Sequence, residues 1–403
     1  MLINPSCERN GKTLSGVVRL LLCGIMTTLG LAIVLLPVWA YLVAVTAAAA
    51  RFARRPLIAA AGGPPVSILK PLHGAEPGLY ENLRSFVDQD YPQLQIVLGV
   101  RHPADSALPI ARALIADRPL GDIALIVDPR AGGSNLKVAN LENMLPAARH
   151  PVLVLADSDM RVDPSYVAGL AGLLADPGAG LATCLYKGVS AGGTWSQLGA
   201  LYINFSFLPN ALLAEALGVG GGCFGATIAL QRTVLERIGG FAPLRNELAD
   251  DHRIGAAVRG LGLATVLSRY IVENRVFEPS FAGLWRHELR WARTMRMMAP
   301  AGYAGSAATH AAAIAVFAAL AAGMSRAGCG FLLVSLVLRW ASAGAIARLL
   351  GLPAARLWLL PLRDALSFAV FVASFCGRSV FWRDQAFRVE PSGRMTAEGD
   401  KPS

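Results

Sequence analysis

Charged residues are scarce in this chain: Asp, Glu, Lys and Arg make up 16% of its 403 residues, whereas 54% are hydrophobic. This balance excludes an ordinary soluble protein, because the apolar residues are gathered in long runs typical of membrane proteins. Only five of the 37 basic residues are lysines, so arginine supplies most of the net charge of +10. No run of basic residues interleaved with aromatics is present, so we predict no nucleic-acid partner. The positive charge instead favours anionic headgroups or a phosphate-bearing substrate.

Cysteine is also sparse, and none of the six cysteines forms a CxxC pair. Cys23, Cys329 and Cys376 lie within apolar runs, where cysteine acts as a small hydrophobic residue. The pattern excludes a disulfide framework and a zinc site, and predicts that the soluble part of the chain lies in a reducing compartment.

The long apolar runs lie near both ends of the sequence. After an N-terminal tail at 1–16, residues 17–50 carry a single charge, Arg19, and predict a transmembrane helix. The arginines that follow, Arg51, Arg54 and Arg55, favour a cytoplasmic position for the next domain. A cleaved signal peptide is the alternative interpretation of this run.

Residues 304–382 predict a second membrane region of two to three spans, at 304–324, 331–350 and 357–381. Arg363 and Asp364 interrupt the last of these, which leaves its depth and topology open. Buried core helices are the alternative for each segment. Residues 383–403 form a polar tail.

Between the apolar regions, residues 64–283 alternate between two patterns. Strand-like runs occupy 66–69, 94–100, 123–127 and 152–156, and helix-like stretches occupy 79–87, 108–116 and 138–145. Strands that alternate with helices predict a parallel sheet in a nucleotide-binding α/β domain.

The clearest chemical signal follows the strand at 152–156, which delivers Asp157 and Asp159 at its carboxyl end. Ligands of open α/β sheets bind at that edge. Two carboxylates separated by one residue can share a divalent cation, Mg²⁺ or Mn²⁺, which is often shared in turn with substrate phosphates. An acidic turn that caps the next helix is the alternative.

A second acidic pair, Asp250 and Asp251, precedes a helix-like run at 254–261. Carboxylates are favoured at a helix N-terminus by the helix dipole, so capping alone would explain them. Equally, one of them could remove the proton from an acceptor hydroxyl. The residues by themselves leave both possibilities open.

The third signal is the segment at 284–300, which contains His287, Arg290 and Trp291. Arginines, tryptophans and methionines mixed at helical spacing predict an amphipathic helix in the membrane interface. Arginine can also clamp a diphosphate through paired hydrogen bonds, whereas contact with headgroups only is the alternative. Two glycine-containing turns, at 132–137 and 218–222, could approach an anion or a sugar but are weak signals.

Together these motifs resemble a family 2-type glycosyltransferase with a GT-A (nucleotide-diphospho-sugar transferase) domain and transmembrane helices at both ends. The run at 66–74, VSILKPLHG, and Asp90-Tyr91-Pro92 before the second strand resemble ceramide glucosyltransferases more specifically. Within that group the sequence is most similar to bacterial hopanoid-biosynthesis glycosyltransferases. The resemblance covers roughly residues 30 to 395.

The resemblance assigns expected roles to individual residues. It implies that Asp105, Lys137 and Asn140 lie by the donor nucleotide, that Asp157 binds metal and diphosphate, and that Asp159 completes a DxD motif. Asp251 falls at the position of the catalytic base, with Asp250 beside it. Arg290 and Trp291 match the terminal QxxRW or RxxRW motif of the family. His287 departs from its first position, and His102 stands where relatives commonly have an acidic residue.

The activity implied by the resemblance is inverting transfer from a UDP-sugar to a hydroxyl of a membrane lipid. We expect UDP-N-acetylglucosamine and a hopanoid such as bacteriohopanetetrol, in a multi-pass protein of the bacterial inner membrane with a cytoplasmic catalytic domain. Ceramide glucosylation from UDP-glucose is the alternative. A membrane polysaccharide synthase is a further alternative, but it should have more spans and a complete QxxRW motif. A non-catalytic membrane scaffold is disfavoured because it would not need to retain the four residues Asp105, Asp157, Asp251 and Arg290 together.

Overall fold

The structure is a computed structural model that describes residues 6–58, 62–219, 222–377, 379–382, 385–389 and 395–397. Two parts make up the described chain: an α/β domain built on one large sheet, and a group of apolar helices from both ends of the sequence. The sequence predicted this division, and the mixed α/β fold is confirmed.

Within the described residues, the large sheet has eight strands in the order β3-β2-β1-β4-β7-β6-β8-β5. These are β1 Val66–Leu72, β2 Leu94–Val100, β3 Ile123–Val127, β4 Val152–Ala156, β5 Met160–Arg161, β6 Ala179–Ser190, β7 Thr227–Gln231 and β8 Ala264–Val276. The helices of this domain are α2 Leu79–Val87, α3 Ala107–Asp117, α4 Leu136–Met144, α5 Tyr166–Leu173, α6 Gly193–Tyr202, α7 Leu208–Ala216, α8 Arg232–Arg237 and α9 Asp250–Gly260. A π-helical turn, Ile203–Phe207, joins α6 to α7.

The first half of the sheet is parallel, as the sequence predicts. β1 pairs in parallel with β2 on one side and with β4 on the other, and β2 pairs in parallel with β3. The strand that begins at Val66 continues through Pro71 to Leu72, beyond its expected end. Proline is tolerated there because β4 pairs only with Val66 to Leu69, so the missing N–H leaves no ladder bond to β4 unmade.

The other half of the sheet is mixed, which strand–helix alternation does not reveal. β7 pairs antiparallel with both β4 and β6, whereas β8 runs parallel to β6 and antiparallel to β5. Apolar side chains from the helices pack on both faces of this sheet and form two separate cores. The carboxyl end of β4 lies at the middle of the sheet, next to the point where the strand direction reverses.

The remaining helices are α1 Ser6–Ala53, α10 Phe281–Met298, α11 Pro300–Gly305, α12 Ala311–Ala321, α13 Arg326–Leu350 and α14 Leu360–Ser374. Helix α1 begins inside the stretch that was expected to be a tail. Among the described residues, three segments are each long and apolar enough to cross a membrane: Thr28–Ala53, Arg326–Leu350 and Leu357–Ser374. The expected span at 304–324 corresponds to two helical segments, Pro300–Thr309 and Ala311–Ala321, which together are also long and apolar enough to cross a membrane but are bent by 64° relative to each other.

Two features connect the apolar helices to the sheet domain. Val45 and Phe52 of α1 and Ile346 of α13 share a core with Leu201 and Leu208 of the α/β domain. In addition, a second small sheet, formed by β9 Ser379–Trp382, β10 Gln385–Val389 and β11 Met395–Ala397, lies within the stretch expected as the end of the last span and a polar tail. Helix α10 contacts α6 of the α/β domain as well as α14 of the apolar helices, and thus lies between the two parts of the chain.

Candidate active site

The site is built around the turn that follows β4. The Asp157 carboxylate lies 2.5 Å from the Nζ atom of Lys137, on α4, and the same ammonium lies 3.9 Å from Asp250 at the start of α9. Asp159 turns toward β8, where its Oδ2 atom accepts a 2.7 Å hydrogen bond from the side-chain amide of Asn274. Four of the residues singled out in the sequence therefore converge at one edge of the sheet.

The glycine turn before α4 holds Lys137 in this place. Asn135 is buried and caps α4 by accepting hydrogen bonds from the amides of Lys137 and Val138, while its own amide donates to the Glu247 carbonyl at 2.8 Å. A Cβ atom on Gly133 would come within 2.5 Å of the Arg245 carbonyl oxygen. The absence of a side chain therefore allows the turn to pack directly on the loop that leads to Asp250.

Asp251 is fixed by two backbone amides. Its Oδ2 accepts a 2.9 Å hydrogen bond from Gly225, and its Oδ1 accepts one of 2.7 Å from His252. Burial and the neighbouring charge of Asp250 raise the pKa of Asp251 to about 6, although Lys137 opposes the shift. Asp251 can therefore exchange a proton near neutral pH, as a general base requires.

The electrostatics of the cluster reflect several carboxylates in a confined space. Burial, followed by repulsion from Asp157, raises the pKa of Asp159. Burial, followed by repulsion from Asp159, raises the pKa of Glu76 to about 7. Burial alone would lower the pKa of Lys137, but Asp157, Asp250 and Asp251 together raise it, so Lys137 stays charged.

Lys70 and Glu76 were not predicted as site residues. Lys70 lies on the buried strand β1, donates a hydrogen bond from Nζ to the Asp157 carbonyl, and sits 3.7 Å from the centroid of the Phe86 ring. Burial lowers the pKa of Lys70 to about 7. A lysine in the middle of a strand that is buried on both faces is a signal that the sequence does offer.

The donor set at this edge suits a hard divalent cation. In the described part of the chain no three His, Cys, Asp or Glu side chains are already gathered as a metal site. Asp157 and Asp159 nevertheless supply carboxylate oxygens, which Mg²⁺ and Mn²⁺ prefer. The charge of Asp157 disfavours the ionised form of buried Asp159, and Lys137 already places one positive charge beside Asp157. The chemistry of these residues therefore fits a cation bound between them.

Two residues expected near the donor make contacts to the backbone. Asp105 has little exposed side-chain surface, accepts hydrogen bonds from the amides of Gly74 and Ala107, and lies 3.1 Å from His73. Asn140 is buried and donates to the Gly99 carbonyl at 2.8 Å. Both residues order the loops at the ends of β1 and β2. A direct contact with the nucleotide remains a prediction for them.

Helix α10 presents the third motif. His287 lies 2.7 Å from Glu278 through Nδ1, and its ring centroid is 4.2 Å from that of Trp291. Trp291 stacks on Tyr202, and it packs with Tyr186 against the same small apolar core. The pKa of Tyr186 is raised by burial first, and then by the ionisable groups of Tyr202 and Asp251. Arg290 is half-buried on the same helix.

The sequence did not predict two ion pairs that involve α10, α13 and α14. Glu288, the residue after His287, makes a buried two-bond ion pair with Arg363 of α14. Asp364, the residue after Arg363, pairs with Arg339 of α13 through two hydrogen bonds of 2.9 Å. The two charged residues that made the depth of the last span ambiguous are thus both neutralised by partners.

The profile of glycosyl transferase family 21 matches residues 29–395, nearly the whole chain. The chain belongs to glycosyl transferase family 21. It is therefore a glycosyltransferase, as the motifs predicted, and the resemblance to ceramide glucosyltransferases is confirmed. A specific closeness to hopanoid glycosyltransferases stays a prediction.

Curated relatives of this family 21 chain include ceramide glucosyltransferases. Ceramide glucosyltransferase 1 of Caenorhabditis elegans is 22% identical over 238 residues, which is 59% of this chain and 51% of that protein. The ceramide glucosyltransferase of Komagataella phaffii is 33% identical over 101 residues, which is 24% of this chain and 20% of that protein. The chain thus spans about half the length of the first of these relatives and a smaller part of the second.

Among solved structures, a mannosyltransferase from Pyrobaculum calidifontis, in complex with GDP-Man and Mn²⁺, is similar with a TM-score of 0.51 and 19% identity. The match covers 86% of this chain and 99% of the mannosyltransferase. At that identity the likeness establishes the fold, a GT-A glycosyltransferase domain with appended helices.

Proposed function

We propose that this family 21 enzyme transfers a sugar from a UDP-sugar to a hydroxyl of a membrane lipid, with inversion at the anomeric carbon. The observation that carries the proposal is the position of Asp251. Its carboxylate has a pKa raised to about 6 and shares a cluster with Lys137 and Asp157, where a diphosphate could be neutralised. A proton acceptor and a phosphate site next to each other are what a single displacement requires.

In the proposed step, Asp251 takes the proton from the lipid hydroxyl while that oxygen attacks the anomeric carbon. The bond from the anomeric carbon to the diphosphate breaks, and its electron pair leaves with UDP. Lys137 and Arg290 would stabilise the negative charge that grows on the leaving group. Asp157 and Asp159 would hold Mg²⁺ or Mn²⁺, which supplies further positive charge at the diphosphate when it is bound.

The position of the site beside apolar helices supports a lipid as the acceptor. Three candidate spans and helix α10 adjoin the α/β domain, so a lipid could present its hydroxyl without leaving the bilayer. The names of the curated relatives favour ceramide and glucose. The resemblance of the whole chain to hopanoid-biosynthesis glycosyltransferases led us to expect a hopanoid and N-acetylglucosamine, and the motifs themselves do not decide between these substrates and ceramide with glucose. We further propose a bacterial inner-membrane location with a cytoplasmic catalytic domain, since Arg51, Arg54 and Arg55 follow the first span.

The test is a product assay with the full chain in membranes. Labelled UDP-glucose or UDP-N-acetylglucosamine is incubated with ceramide or bacteriohopanetetrol, and the lipid product is identified by mass. A glycosylated lipid that forms with the wild type but not with Asp251→Asn supports the proposal. Release of free sugar or a polymer with every acceptor, in place of a glycolipid, would refute it.

A further inference from the structure

A surface outside the acidic cluster combines exposed aromatic rings with arginines. We name it the aromatic–arginine patch. Its members come from α6, from the start of α10 and from the segment before α14: Trp195, Phe281, Trp285, Arg286, Arg356 and Trp358. Phe281 is 44% exposed and Trp358 is 67% exposed, which is unusual for large apolar side chains in contact with water.

Ring contacts make most of this surface continuous. The Trp195 ring lies 5.3 Å from that of Phe281, which lies 5.9 Å from that of Trp285. Phe281, Trp285 and Arg286 line an open groove of about 280 Å³, whose exposed lining is almost entirely apolar. The groove is therefore suited to hydrocarbon, with a positive charge at its edge.

The two arginines of the patch have no acidic partner among the described residues. Arg286 donates from Nε to the Ala282 carbonyl of its own helix, and Arg356 donates to the side-chain oxygen of Gln197 at 2.7 Å. Other arginines of α10 are occupied: Arg293 and Arg296 donate to carbonyls of residues 376–379. Arg286 thus keeps its charge available on the surface.

The patch is also joined to a candidate span. Arg356 and Trp358 lie at the start of the apolar segment Leu357–Ser374, where arginine and tryptophan are favoured at the depth of lipid headgroups. The bond from Arg356 to Gln197 ties that end of the span to α6, the helix that also carries Trp195. The patch therefore lies next to the end of this candidate span.

We infer that the aromatic–arginine patch binds anionic phospholipids of the bilayer, with Arg286 and Arg356 on the phosphates and an acyl chain against Phe281 and Trp285. Positive charge without internal partners complements the anionic headgroup, and the apolar groove complements the chain. The interaction fixes the α/β domain against the membrane surface. It goes beyond the proposed function and does not depend on the transfer reaction.

The experiment measures lipid retention without any sugar donor. The full chain is reconstituted in nanodiscs with equal amounts of phosphatidylglycerol and phosphatidylcholine, released, and analysed by native mass spectrometry for bound lipid. We expect the wild type to retain phosphatidylglycerol in preference to phosphatidylcholine. The double variant Arg286→Gln/Arg356→Gln should lower that preference roughly fivefold to thirtyfold, since each arginine near an anionic surface contributes about fivefold.

A matched double variant distinguishes an effect of the aromatic–arginine patch from an effect of the net charge of the protein. Arg112→Gln/Arg237→Gln removes the same charge from exposed positions on α3 and α8 and should leave the preference unchanged. An equal loss in both double variants, or no loss in either, would overturn the inference.

Quenching of tryptophan fluorescence by brominated lipids locates the site. Brominated phosphatidylglycerol should quench the wild type more strongly than the Trp285→Phe variant. Stronger quenching by brominated ceramide or by a brominated hopanoid would assign the groove to the acceptor instead, and the inference would then be wrong. Because these measurements need no turnover, they can fail while the proposed transferase activity stands, and the reverse also holds.

Discussion

Arg363 and Glu288 face each other as a fully buried pair, with 2.6 Å from Nη1 to Oε1 and 2.7 Å from Nη2 to Oε2. Arg363 belongs to the apolar helix α14, and Glu288 lies inside the His287–Trp291 motif of α10. The Arg363 guanidinium also lies 5.4 Å from the centre of the Tyr202 ring, which stacks on Trp291. A candidate membrane span thus orients the helix that carries the predicted donor-binding motif.

Replacement of Arg363 by methionine should therefore destabilise the protein. The substitution leaves the Glu288 carboxylate buried without its counter-charge, and loss of one partner of such a pair costs about 3–5 kcal/mol. We expect a clear fall in the thermal midpoint of the detergent-solubilised chain, measured by tryptophan fluorescence. The affinity for UDP should fall as well, because Trp291 and Arg290 lose their support.

Two further variants test the explanation. Glu288→Gln combined with Arg363→Met removes both charges and should recover part of the stability lost by Arg363→Met alone. Arg149→Met breaks an ion pair with Asp122 on the exposed surface and should have a small effect. A similar loss for Arg149→Met and Arg363→Met would contradict a special role for the buried pair.

The sequence could predict those features of the fold that depend only on neighbouring residues along the chain. The strand at 152–156 is apolar at every position, so its burial and the placement of Asp157 at its end follow from the pattern alone. Arg363 shows the opposite case. A charge in an apolar helix signals a partner, but Glu288 lies 75 residues away, and only the packing of α14 on α10 brings the two together.

The glycine turn before α4 illustrates the same limit within the site. The sequence indicates a turn with free backbone amides, which could hold an anion. It does not indicate that Arg245, more than 100 residues later, packs its backbone against Gly133 and leaves no room for a side chain. Likewise the positions of Asp157, Lys137 and Asp250 were predicted one by one, whereas their convergence depends on the fold.

The close approach at Gly133 leads to a second prediction. Gly133→Ala would put a methyl group 2.5 Å from the Arg245 carbonyl oxygen, so the turn must move and carry Lys137 with it. We expect lower thermal stability and weaker UDP binding, measured by fluorescence-monitored unfolding and by calorimetry. Gly260→Ala is the matched control, because a Cβ atom there meets no other atom within 4 Å. Equal behaviour of the two variants would show that the contact is unimportant.

A third prediction concerns the divalent cation. Chelation with EDTA should abolish sugar transfer, and addition of Mn²⁺ or Mg²⁺ should restore it. Asp159→Asn should raise the Mn²⁺ concentration needed for half-maximal UDP binding by tenfold or more, since one of two carboxylate ligands is lost. Asp128→Asn, which removes a partly buried carboxylate paired with Arg130, should leave that concentration unchanged. Full UDP binding and transfer by the EDTA-treated wild type would exclude a required metal.

The fourth prediction uses the acidic pair at the start of α9. If Asp251 is the base, only its ionised form accepts the proton, and its pKa of about 6 sets the acid limb of the rate profile. Transfer should therefore approach a tenfold fall per pH unit well below pH 6, and level off about one pH unit above the pKa. Asp251→Asn should reduce turnover by about 10²–10⁴-fold and leave UDP binding intact.

Asp250 provides the control. Burial is the largest cause of the raised pKa of Asp251, and the charge of Asp250 is the second largest. Asp250→Asn removes the repulsion that disfavours ionised Asp251, so the acid limb should move to lower pH while turnover at neutral pH is partly kept. The measurement is the pH dependence of kcat for both variants with saturating donor. If the acid limb stays in place in Asp250→Asn, or if Asp251→Asn keeps near-normal turnover, the group that titrates is another residue and Asp251 is not the base.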